Sequence, residues 1–181
     1  MKTEDSTSPF ILNLRAASGG LLLTVLTLLF GQGLGVVFGL NEDALKSRIK
    51  TDAAAVRETA YRGDDAAMKA VTDKSWAYLQ RAHLHAGSMG TTALGLIILV
   101  CLLGVSRRVA MGLSLALGAG GLGYSIYWLW AGFRAPGLGS TGAAKESLSW
   151  LAMPSSGIFV LATVGVVVVL VGSLLARRGS R

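Results

Sequence analysis

The chain has 181 residues, of which 52% are hydrophobic, only 7% aromatic and only 15% charged, with 24 glycines. That balance excludes an ordinary soluble core and points to a chain that lives in lipid. The net charge of +7 does not point to nucleic acid, because residues 41–81 carry eight Lys/Arg against seven Asp/Glu and much of the excess lies near the termini and at Arg107 and Arg108.

Residues 1–13 form a short polar tail. The run 14–40 is long enough for a helix to cross a ~30 Å hydrocarbon core. It is also longer than the core of a leader peptide and lacks a small-residue cleavage pattern, so it is taken as the first span. Small residues recur every fourth position, at Ala16, Gly20 and Thr24 and again at Gly31, Gly35 and Gly39. Such spacing lets helix backbones approach closely, within the chain or between copies. Gln32 is the one amide of this run and is expected to bond across helices or face a polar cavity.

Residues 41–82 are expected to form an amphipathic helical hairpin outside the membrane. Asn41 is placed to cap its first helix, with Glu42 and Asp43 in the first turn where the helix dipole favours acids. Leu45, Ile49, Val56 and Ala60 then share one face. Arg62, Gly63 and Asp64 read as a break, with Asp64 as the next cap. Met68, Val71, Ser75, Tyr78 and Ala82 line the second helix, which meets no Pro or Gly up to Ala86 and is free to run into the next span. Both stripes are thin and rich in Ala, so a covering partner is expected, either another membrane subunit or a second copy.

The second span covers residues 83–105, the tight turn Ser106, Arg107, Arg108 follows, and the third span covers 109–133 with small residues at Gly112, Ala116 and Gly120. Tyr124, Tyr127, Trp128 and Trp130 make an interfacial aromatic belt. The Gly-rich run 118–123 lacks the strand-and-loop setting of a phosphate site. Residues 134–153 form an outer loop with a short interfacial helix over 143–153. Pro154 suits the first turn of a fourth span, 154–176, and 177–181 is a basic tail. The fold class is therefore an all-α integral membrane protein, a small bundle of four transmembrane helices with an external helical hairpin between the first and second. Arg15, Arg107, Arg108, Arg177, Arg178 and Arg181 share one side, which the positive-inside rule makes cytoplasmic together with both termini. A bacterial inner membrane is the expected location, with membrane lipid, other membrane subunits or own copies as partners and no nucleic acid.

His83 and His85 are the only histidines. Two residues apart on a helix they point about 200° from each other, so a regular helix does not let them chelate one ion. His83 is favoured as a ligand because its own face continues into Gly87 and Gly90. Haem b or copper is the cofactor such a donor suggests, with Met153 at the same outer depth as a second ligand. His83 and His85 are both metal candidates, and Gly31, Gly35, Gly39, Gly112, Ala116 and Gly120 are helix-packing candidates. There is no C-x-x-C-H for covalent haem, no nucleophile–base–acid set, and no acidic residue inside a span to couple ions in a transporter or channel. The lone Cys101 forms no intramolecular disulfide. The leading expectation is a small subunit, not an enzyme on its own, of a larger membrane complex, electron transfer included. The alternative is a haem- or metal-binding protein using His83 or His85, and a small transporter or channel is third.

Overall fold

The computed structural model describes residues 8–179, all helices and connecting turns without a strand. The tail residues 1–7 and 180–181, Arg181 among them, and the side chains of Arg177 and Arg178 lie outside the described residues. In chain order the helices are α1 (Pro9–Ala16), α2 (Ser18–Ala54), α3 (Arg57–Ala60), α4 (Asp65–Leu102), α5 (Arg107–Gly137), α6 (Thr141–Glu146) and α7 (Ser149–Gly179). Four of them, α2, α4, α5 and α7, are long and apolar enough to cross a membrane, and the chain is an integral membrane protein on that ground.

At 1.5 Å per residue α2 and α4 each run about 55 Å, well past a ~30 Å hydrocarbon core. Residues 41–54 and 65–82 are thus continuations of two long helices. Asn41 (φ −130°, ψ 23°) is a non-helical kink at which two helical segments of α2 meet, so a segment does begin where it was expected. Its amide donates back to the Val37 carbonyl at 3.2 Å, and the cap expected there does not form. Asp64 does cap α4, accepting the Ala67 N–H at 2.9 Å. It follows a corner in which Arg62 and Gly63 both take positive φ, 53° and 75°.

The stripes of this extension are covered in part from within the chain: Ile49, Ser75, Tyr78 and Ala82 are buried, Leu45, Val56, Met68 and Val71 are half-buried, and Ala60 is exposed. At Gly132 of α5 a Cβ would lie only 2.6 Å from Leu79 Cδ2, so the last turns of α5 seat directly on α4. The Tyr61 hydroxyl donates to the Pro136 carbonyl at 2.7 Å, and Gly139 (φ 61°) sits against Ala60, where a Cβ would fall at 2.7 Å. The corner between α3 and α4 is therefore docked on the connection between α5 and α6.

Helix α5 is the centre of the packing, and its glycines explain why. Lipid tails are as apolar as Leu, so helices in a membrane associate by close packing of small residues and not by escape from water. A Cβ on Gly118 would come within 2.6 Å of the Gly20 carbonyl in α2, one on Gly120 within 2.7 Å of the Ser155 carbonyl in α7, and one on Gly121 3.6 Å from Met89 in α4. One turn of glycines thus admits three neighbours. Helix α7 runs antiparallel to α5, with Ser155 beside Gly123 and Leu113 beside Gly165. It begins already at Ser149, so Pro154 lies inside it and not in its first turn. A proline there lacks the N–H that would bond the Trp150 carbonyl, and its ring crowds that carbonyl. The interfacial helix expected over 143–153 is divided between α6 and the start of α7.

At the other end, the buried Asn13 amide donates to the Val105 carbonyl at 3.0 Å. That bond ties α1 to the turn between α4 and α5 and puts Arg15, Arg107 and Arg108 at one end of the molecule.

Candidate functional site

Both histidines sit on α4 where the extension meets the apolar part of the helix, and they face different neighbours, as the 200° offset requires. His83 faces α2. Its Nδ1 lies 2.7 Å from the Gly31 carbonyl. A carbonyl only accepts, so Nδ1 donates, and in the neutral ring Nε2 keeps its lone pair. The ring lies over Gly35, where a Cβ would fall 2.9 Å from His83 Cε1, and edge-on to Phe38 at 6.5 Å between centroids. The small-residue face that receives His83 is therefore on α2. On its own helix Gly87 faces open space, and Gly90 is taken up by Leu28.

His83 lines a cavity of about 370 Å³ between α2 and α4, together with Gly35, Phe38, Glu42, Trp76 and Gln80. Nε2 has no hydrogen-bond partner among the described residues and is not fully buried. Trp76 also lines a second cavity of about 310 Å³ farther along the same seam, with Lys46, Lys50 and Asp73. Lys46 pairs with Glu42 and lies 5.2 Å over the Trp76 ring, a cation–π contact that closes the boundary between the two.

His85 faces α5. Its Nδ1 lies 2.8 Å from the Arg81 carbonyl, and its ring meets Tyr124 at 5.2 Å and Trp128 at 5.8 Å. The Arg81 guanidinium stands 5.0 Å over Trp128 and 5.4 Å over Tyr78. Tyr78, Arg81 and His85 share a face by i, i+3, i+7 spacing, a pattern that marks this cluster in the sequence once α5 is known to lie against it.

Of the other candidates, Met153 is 73% exposed on α7 and does not line the His83 cavity. His83 and Met153 are not brought together within the chain. Gly31 and Gly35 lie in the seam between α2 and α4, and Gly120 in that between α5 and α7, whereas Gly39 and Gly112 have no neighbour within 4 Å. Ala116 packs against the core formed by Ala110, Leu117 and Val166. Gln32 is exposed, with no hydrogen-bond partner among the described residues, so it neither bonds across helices nor enters a cavity. No group of three or more His, Cys, Asp or Glu is gathered for a metal ion among the described residues. Asn13, Glu42 and Trp76 were not signalled as cavity or bridging residues, because their places depend on partners 34 to 92 positions away in the chain.

Comparison with protein-family models, with curated proteins and with solved structures gave no match.

Proposed function

We propose that the protein is a membrane-embedded cofactor-binding protein in which His83 is the protein's ligand to the group, haem b before copper. The observation that carries this reading is the imidazole itself. Its Nδ1–H is held by the Gly31 carbonyl, and its free Nε2 borders a cavity of about 370 Å³. A second bond of this kind orients a ligating histidine and raises its basicity. The cavity size falls in the range of small-molecule and cofactor sites. Its wall offers one nitrogen donor beside Gly35 and the aromatic rings of Phe38 and Trp76. That composition suits a planar group taking one protein ligand better than a bare ion needing three or four. Such a group would supply reversible one-electron chemistry; His83, Phe38 and Trp76 would hold it, with the imidazole fixed by the Gly31 carbonyl.

The test is the visible spectrum and metal content of protein purified from its native membrane. A Soret band or bound metal is expected in the wild type and in His85→Ala, and its loss in His83→Ala, which still inserts in the membrane. Absence of any chromophore or metal in the wild type overturns the reading, and loss confined to His85→Ala moves the ligand to the other face.

A second reading, a non-catalytic subunit of a larger membrane assembly, is favoured by Gln32. Its amide is exposed on the face of α2 that also carries Leu22, Val25, Leu29 and Val36. A side-chain amide facing hydrocarbon is satisfied by a protein neighbour and not by lipid. Under either reading the arginine-bearing end faces the cytoplasm of a bacterial inner membrane, supported by Arg15, Arg107 and Arg108 lying at one end.

A further inference from the structure

We infer that the aromatic cluster around His85 and Trp128, on the opposite side of α4 from His83, binds the head group of a membrane-dissolved quinol. Two observations that do not depend on each other point to a ligand there. The first is Trp128, which is 9% exposed and whose Nε1–H has no hydrogen-bond partner. Buried indole N–H groups usually find an acceptor, and an orphan donor costs about 1–3 kcal/mol. The second is His85. Its Nδ1–H goes to the Arg81 carbonyl, so in the neutral ring Nε2 is an acceptor, and it too has no partner among the described residues.

An unpaired donor and an unpaired acceptor thus stand on rings whose centroids are 5.8 Å apart. A hydroxyl group that reaches both accepts from the buried indole N–H and donates to the half-buried imidazole. Tyr124, 5.2 Å from His85, and Tyr127, stacked on Tyr124 at 5.6 Å, supply the flat apolar walls that an aromatic ring needs. The cluster stands at the end of the apolar part of α4 and α5, the depth at which an amphipathic head group rests while its tail stays in lipid. Helix α7 packs along α5 and touches α4 only sparsely, and Leu148, Leu151 and Ala152 pack against the cluster, so a head group enters by displacing one of these side chains or Arg81. Arg81 is the movable neighbour: its guanidinium lies over the face of the Trp128 ring without an acidic partner among the described residues.

The pairing distinguishes oxidation states. A quinol hydroxyl satisfies both Trp128 and His85, whereas a quinone carbonyl accepts from Trp128 and leaves His85 unpaired. Binding alone is assigned here, with no electron transfer to the protein.

The experiment uses the full chain in lipid nanodiscs, with ¹⁵N-labelled indoles and anaerobic titration of decylubiquinol and decylubiquinone. The Trp128 indole resonance is expected to shift saturably, with those of Trp76, Trp130 and Trp150 unmoved, and the quinol to bind roughly 3- to 10-fold tighter than the quinone, the worth of one hydrogen bond. His85→Phe abolishes that preference, whereas Trp128→Phe weakens both forms alike. Absence of saturable binding, equal affinities in the wild type, or a preference untouched by His85→Phe overturns the proposal. The wild-type indole shifts decide the matter even where a variant fails to fold.

Discussion

Tyr61 shows how a single side chain holds the long extension in place. Its hydroxyl donates to the Pro136 carbonyl across 75 positions of sequence, and burial raises the phenol's pKa above its usual value. Tyr61→Phe is expected to cost about 0.5–1.5 kcal/mol, the net worth of one such bond, and to speed proteolysis at the neighbouring Arg62. Because the raised pKa belongs to the folded state, the bond's contribution is present below about pH 10, the unfolded value, and is lost as pH rises through the folded one. Thermal unfolding in detergent at pH 8 and pH 11 checks both statements: a wild-type advantage over Tyr61→Phe that persists unchanged at pH 11 contradicts them. Nearby, Arg57 bonds Asp65 at 2.8 Å and lowers its pKa, a contact present above the usual carboxylate range and lost in acid. Both groups are water-exposed, so Tyr61 dominates the corner. Neither partnership was legible in the sequence, since Tyr61 and Pro136 are ordinary turn and helix-end residues until the corner and α5 are brought together.

Among the elements, the one expected cap that forms is Asp64, which accepts an N–H from three residues on. Ser106 and Ser140 cap α5 and α6 in the same way, although by composition they read as turn and loop. Asn41 has the same chemistry and stands at the kink where two segments of α2 meet, but its amide donates to the Val37 carbonyl and no cap forms. Helix faces were less legible than helix ends. The face of α2 bearing Gly20, Gly31 and Gly35 is buried in the chain, and the face bearing Leu29, Gln32 and Val36 is left outside. Cross-linking tests what covers it: Gln32→Cys in the Cys101→Ser background is expected to give a specific disulfide product in native membranes, and Leu22→Cys, at another depth of that face, a smaller yield. Monomer alone at native expression removes the assembly reading and leaves lipid as the cover.

For the whole molecule, the ends decide its sense in the membrane. Asn13 joins α1 to the turn before Arg107, and α7 runs back to the same end. A reporter fused after Arg181 is therefore expected in the cytoplasm and one inserted at Gly63 outside, and a cytoplasmic signal at Gly63 reverses the sense and moves His83 to the inner side. The sequence by itself determined the four long apolar helices, the break at residues 62–64 and the histidine pair, because chain hydropathy, turn chemistry and helical offset are local properties. Only the tertiary structure decided that His83 meets Gly31 and His85 meets Trp128, that Met153 stands apart, and that α5 covers the extension. Those outcomes depend on which glycine of one helix meets which side chain of another, and several glycine faces of equal merit compete for each contact until the helices pack together.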